Sequence, residues 1–166
     1  MTRWILPLLV ATACAGDVDS GPRYLSAEDG VSFARLPGWD LSRERATLIL
    51  KGEGPATIAI RTIPREGTSE PRNQSNVFPA VKTTLRALPQ ARVIGPTDID
   101  TAEYRAVAFD VEFTPPGRTR QRYQRRHVTL LAESRVIHVF LVAPLGQLES
   151  ARRDFDAIVT SIREEG

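Results

Sequence analysis

The sequence predicts an α+β domain: a mostly antiparallel sheet of about six strands flanked by two main helices. Three observations carry this expectation. Aliphatic and β-branched runs of strand length recur between turn-forming residues. Two segments, one in the middle and one at the end, repeat their apolar residues at helical spacing. The elements run strands, helix, strands, helix, joined by hairpin-length links.

From Tyr24 the pattern is strand-like. Residues 31–36 (VSFARL) carry apolar side chains on both parities and stop at Pro37-Gly38, where proline presets φ and glycine accepts a positive one. Residues 47–51 and 56–63 are β-branched and aliphatic runs separated by GEGP, the pattern of a hairpin. Residues 64–75 (PREGTSEPRNQS) form a long polar loop. A helix follows with Ser75 or Asn76 as its N-cap and Pro79 tolerated in its first turn. Val77, Val81, Leu85 and Leu88 mark its buried face, Lys82 and Arg86 point away, and Pro89 ends it. Residues 92–94 make a short strand, and longer ones follow at 104–113, 120–132 and 135–143. The last is apolar on both parities, interrupted by His138, so it belongs at the centre of the sheet, covered on both faces. Leu148, Ala151, Phe155, Ile158, Val159 and Ile162 close the chain at helical spacing.

The first residues are of another kind. Met1-Thr2-Arg3 supplies one positive charge, Trp4 to Val10 is mostly apolar, and Ala11-Thr12-Ala13 leads into Cys14, the only cysteine. These are the parts of a secretory signal over residues 1–13. As a helix, residues 4–13 would reach roughly 15 Å, about half of a hydrocarbon core, too short to span it. Ala-Thr-Ala-Cys resembles the lipobox of bacterial lipoproteins, in which the cysteine thiol is alkylated by diacylglycerol and becomes the mature N-terminus. Ala11 departs from that pattern, where leucine is commonest. The competing reading is an ordinary cleaved signal that contains a cysteine, but no second cysteine offers Cys14 a disulfide partner. Each buried lipid CH₂ adds about 0.8 kcal/mol of membrane affinity, so a diacylglycerol with an amide-linked chain anchors stably. Ala15 follows the cysteine in place of the aspartate that resembles an inner-membrane retention signal, which favours the periplasmic leaflet of an outer membrane. Residues 14–23 then read as the lipidated N-terminus and its small, polar tether, and residues 24–166 as one domain.

Removing residues 1–13 leaves 153 residues, enough for a core without disulfide staples. It takes away Arg3 alone and lowers the net charge from +2 to +1, which argues against a nucleic-acid footprint spread over the domain. Twenty of the 22 basic residues are arginine, a bias that GC-rich codon usage produces without any functional cause.

A Phe33…Leu36-Pro37-Gly38-Trp39 corner after an opening strand, a middle helix, a three-strand meander and a closing amphipathic helix together resemble the PsbP-like superfamily, over roughly residues 24–163. Bacterial envelope lipoproteins of the LpqN and DcrB kind belong to it. The resemblance implies an α/β/α sandwich and non-enzymatic binding or assembly roles. Its corner is a packing feature in which Trp39 caps the core beside the turn, and it brings no catalytic residues.

Several stretches could carry chemistry. The basic run GRTRQRYQRRH (117–127) could bind phosphate-rich partners through Arg118, Arg120, Arg122, Arg125 and Arg126. Strand parity offers another reading: Arg120, Arg122 and Arg126 share a face, as do Asp110 and Glu112 on the preceding strand, which makes a solvated cross-strand charge ladder. GEGPAT (52–57) lacks the Gly-Lys-Ser/Thr of a phosphate loop and is a turn. No serine sits in a Gly-x-Ser-x-Gly elbow. Asp98, Asp100 and Glu103 offer too few fixed oxygens for calcium, and Glu164-Glu165 read as solvated.

His127 and His138 are the nearest thing to a site. A two-residue turn at Glu133-Ser134 sets Thr129 opposite His138 and His127 opposite Phe140, which makes the histidines diagonal neighbours on one face. Two imidazoles so placed could share a cation, but a catalytic zinc needs a third protein ligand and the face offers no carboxylate. The expectation is a packed or hydrogen-bonded pair under a helix, with no metal and no cofactor.

Taken together, these features predict a non-catalytic envelope lipoprotein, held to the membrane by its lipid, facing the periplasm and binding an envelope protein rather than nucleic acid. Two rivals stay open: an anionic-ligand binder acting through the Arg118–Arg126 strand, for lipid headgroups or nucleic acid, and a metal-assisted hydrolase using His127 and His138.

Overall fold

Short turns dictate the pairing at the start of the chain. In the computed structural model, which describes residues 22–65, 71–117 and 121–165 (backbone alone for 71–75), β1 (Arg23–Ser26) and β2 (Val31–Ala34) form an antiparallel hairpin. Gly30 turns it with φ +58°, and a Cβ there would run into the Arg135 guanidinium. β3 (Asp40–Glu44) and β4 (Thr47–Lys51) make a second hairpin around Arg45, itself at φ +55°, and β4 pairs with β5 (Thr57–Pro64). The chain then leaves the sheet through α1 (Pro71–Arg86) and re-enters at its far edge as β6 (Arg92–Ile99). From there β7 (Arg105–Phe113), β8 (Tyr123–Leu131) and β9 (Arg135–Pro144) step back until β9 pairs with β5. The seven strands lie in the order β3-β4-β5-β9-β8-β7-β6, every neighbouring pair antiparallel. A 3₁₀ turn (Glu149–Ala151) leads into α2 (Arg152–Ser161), and β10 (Arg163–Glu164) adds to β2, giving a three-stranded sheet β1-β2-β10.

Period two sorts the side chains of the large sheet onto two faces. Leu48, Ile58, Ile60, Val128, Leu130, Ile137, Val139 and Leu141 face Phe155, Ile158 and Val159 of α2 and Val31 and Phe33 of β2; all of them are buried. The opposite face packs Val107, Phe109, Val111, Phe113, Leu131 and Val136 against Phe78, Val81 and Leu85 of α1. β9 stands in the middle of the sheet and contributes to both cores, as its double-sided apolar pattern requires. Trp39 packs on the edge of the first core and donates its indole N–H to Asp154 Oδ2 at 2.8 Å, which ties the Pro-Gly-Trp corner to α2.

The expectation of about six strands is corrected to ten among the described residues, in two sheets. β3 and β10 were absent from it. The strand expected at residues 92–94 continues to Ile99 across a register shift at the cis Gly95-Pro96 bond. The middle helix starts at Pro71, not after Ser75 or Asn76, so Pro79 lies inside it. Phe78 joins Val81 and Leu85 on its buried face, while Val77 and Leu88 are half-buried. Cys14 and the lipobox, together with Arg118 and Arg120, lie outside the described residues.

Candidate functional site

α1 packs over β6 and β7 and leaves the same sheet face open over β8, β9 and β5. The result is a groove of about 620 Å³ beside the helix. Val77, Ala80, Val81 and Thr84 of α1 form one wall, and Thr47 and Ile63 stand on the other side. Arg61, Arg125, His127, Val136, His138 and Phe140 rise from the strands between them. Among the described residues, no aspartate or glutamate lines it.

The β8–β9 hairpin builds the floor. Its two-residue turn sets Thr129 against His138 and His127 against Phe140, the register that parity predicts. The two imidazoles meet edge to face with ring centroids 5.2 Å apart, and His127 Nε2 lies 3.1 Å from His138 Nδ1. Phe140 presents its edge or face to both rings, 4.6 Å from His127 and 6.1 Å from His138. The Arg125 guanidinium lies over Phe140, 3.9 Å from its centroid, with Nη2 3.3 Å from His127 Nδ1.

Arginine only donates, and this fixes the protons of the pair. His127 Nδ1 accepts from Arg125, so His127 carries its proton on Nε2 and donates it to His138 Nδ1. Thr129 Oγ1 donates to the same Nδ1 at 3.2 Å. His138 therefore carries its own proton on Nε2. The pair presents an N–H, not a lone pair.

Burial and the neighbouring cations hold both rings neutral. Burial, then Arg125 and His138, pushes His127 down to about 2; burial, then Arg125 and Arg61, pushes His138 down to about 4. Arg125 is itself lowered to about 10 by burial, and its Nε is sealed from solvent without a partner. Arg61 sits directly across from His138 on β5. Among the described residues neither arginine has an ion-pair partner.

In this protonation state the pair differs from a general base and from a set of metal ligands, the two agents of a metal-assisted hydrolysis. A general base works best near the operating pH, whereas these imidazoles hold too little basicity. A cation sharing the pair would need the lone pairs that Arg125 and the His127–His138 bond already occupy. Among the described residues, no three His, Cys, Asp or Glu gather where they could hold a metal ion.

The structure divides the basic run. Arg126 faces Asp110 and pairs with both its oxygens at 2.9 and 3.1 Å; Arg122 reaches Glu112 at 2.9 Å. These two rungs form the expected ladder on the α2 side of the sheet, but Arg126 is buried, only 7% exposed, so water reaches that rung only from its Asp110 side. Arg125 points to the opposite face, into the groove. The expectation of solvated terminal carboxylates is corrected as well. Glu164 accepts from the backbone N–H groups of Glu133 and Ser134 at 2.8 and 2.9 Å, from the Ser134 hydroxyl, and from Arg135 Nε at 3.2 Å, and so pins the β8–β9 turn. Those bonds hold its carboxyl below the usual range against the upward push of burial. Glu103 pairs with Arg163 at 2.9 Å.

No family model matches the chain, and no curated protein matches it. Solved structures do. LpqN of Mycobacterium tuberculosis, described as involved in cell envelope biogenesis, superposes with a TM-score of 0.61 at 13% identity, over 89% of this chain and 87% of that one. The cyanobacterial PsbP (CyanoP) of Synechocystis gives 0.59 at 12% identity, over 94% and 98%. A Bacteroides thetaiotaomicron protein gives 0.59 at 9% identity over 88% of this chain, which spans only 49% of that protein's length. The chain has the PsbP-like fold.

Proposed function

We propose that this protein is a lipid-anchored, non-catalytic binding module of the bacterial envelope. The groove beside α1 carries the reading: beside the hydroxyls of Thr47 and Thr84 it holds two arginines with no counter-ion among the described residues and a histidine pair held neutral, an arrangement made for holding a partner and poorly suited to moving protons. The Ala-Thr-Ala-Cys sequence after an apolar run supports the anchor and the compartment. The shared fold with LpqN, described as acting in envelope biogenesis, is compatible with that address. Of the described arginines on the rival anion-binding strand, Arg122 and Arg126 pair with Glu112 and Asp110, and Arg125 alone turns an unpaired charge into the groove.

Metabolic labelling with palmitate and membrane fractionation in the host test the anchor. Wild-type protein should be labelled and sediment with membranes, and Cys14→Ser should be neither. Soluble, unlabelled wild-type protein refutes the proposal.

A further inference from the structure

Removing a guanidinium from water is expensive unless an anion meets it, and an uncompensated buried cation marks a place where an anion arrives later. We propose that the groove beside α1 binds the carboxylate of a small organic acid with an apolar body. Arg125 and Arg61 supply the charge, His138 Nε2–H supplies a directed hydrogen bond, and Ile63, Val81 and Phe140 take the body. This assignment deepens the reading of the chain as a binding module and rests on it.

Four observations converge on that ligand class. Among the described residues the groove holds two arginines and no acid, so its charge complements an anion. The hydrogen-bond relay from Arg125 through His127 leaves His138, which lines the groove, with its proton on Nε2 as a donor, and a carboxylate only accepts. Arg125 is held flat on Phe140, so its planar fork is oriented before any ligand arrives. A volume of about 620 Å³ suits a small molecule. A carboxylate fits better than a phosphate dianion, whose stronger hydration one buried guanidinium would have to replace among apolar walls.

The experiment is calorimetric titration of the full-length chain with phenylbutyrate, phenylbutanol, phenyl phosphate and a polyglutamate peptide. Phenylbutyrate should bind with one-to-one saturation, and the alcohol about tenfold or more weaker, because it cannot engage the guanidinium. Arg125→Met should weaken phenylbutyrate about tenfold or more while leaving the melting temperature unchanged or raised, since it removes a buried charge. Should Arg125→Met not fold, the exposed Arg61→Gln still reads the charge requirement, with an expected loss of about threefold. Equal binding of acid and alcohol, undiminished binding by folded Arg125→Met, or a preference for phenyl phosphate or the peptide overturns the assignment. Palmitate-labelled, membrane-bound protein that fails to bind phenylbutyrate refutes only the ligand; soluble, unlabelled protein that binds it refutes only the anchor.

Discussion

Acidification should unfold this domain through its two histidines before most of its carboxylates titrate. Both rings are neutral in the fold, His127 lowered to about 2 and His138 to about 4, whereas an unfolded histidine titrates near 6.5. Below that value the unfolded chain takes up protons that the folded one refuses, so stability falls as pH falls. The histidines contribute nothing to this loss well above pH 6.5. Their penalty grows by about 1.4 kcal/mol per pH unit per ring and levels off only below the folded values. Between pH 7 and pH 5 each ring costs about 2 kcal/mol, and the pair about 4, a large share of the 5–15 kcal/mol typical of a domain. The groups facing the pair reinforce it: Arg125 and Arg61 repel a proton, and among the described residues no carboxylate lines the groove to invite one. Urea unfolding at pH 7, 6 and 5 measures the slope. His138→Gln should remove about half of the wild-type loss, and His127→Gln/His138→Gln nearly all of it, because carboxylates such as Glu164 remain in every variant. Parallel pH profiles for the wild type and the double variant would refute the reasoning, for they would mean that both rings titrate in the fold as they do in water.

Four other substitutions probe the scaffold. Asp110→Asn should destabilise by about 1–3 kcal/mol by leaving buried Arg126 without its carboxylate, while Arg122→Ala, at a more exposed rung, should cost under about 1 kcal/mol; urea unfolding that reverses this order denies the burial difference. Trp39→Phe keeps most of the ring packing and loses the bond to Asp154, so thermal unfolding should report a loss of about 1–2 kcal/mol. Gly30→Ala should cost about 1–3 kcal/mol, since it puts a side chain at positive φ against the Arg135 guanidinium; an unchanged denaturation midpoint would show that the hairpin gives way freely.

The parts of the fold that the sequence displays are those where a period meets a fixed turn. The β8–β9 register follows from two residues at Glu133-Ser134 and strict alternation, so every opposed pair there could be stated in advance. β9 announces its central place because it is apolar on both parities, although His138, Phe140 and Val142 are only half-buried on the groove side of the sheet. β3 hides for the opposite reason. Asp40-Leu41-Ser42-Arg43-Glu44 is an edge strand with one apolar residue in contact with the core, so no alternation survives in it. β10 has two residues, too few for any period. Gly95-Pro96 reads as a breaker, and only the pairing of Thr97 to Ile99 with β7 shows that the strand resumes beyond it. The first turn of α1, Pro-Arg-Asn-Gln, reads as loop because it contributes no apolar face.

The site was written in the same alternation, one residue away from the obvious signal. Counted along the chain, the run 117–127 is a cluster of arginines with two acids nearby, and the count suggests a surplus of charge spread over one strand. Counted by parity, the surplus has an address. The even positions Arg122 and Arg126 share a face with Glu112 and Asp110 and find their counter-ions there. The odd position Arg125 stands opposite Val111 on β7 and Val142 on β9, with Phe109, Phe113 and Phe140 farther along the same face and no acid among them. What completes its surroundings, Arg61 across β9 and the flank of α1, comes from segments distant in sequence, and no local pattern could supply them. The same residue type thus serves as a structural ion pair on one face of the strand and as an unmet charge on the other. It is the unmet charge, sealed against Phe140 and coupled to both histidines, that gives the groove its chemistry.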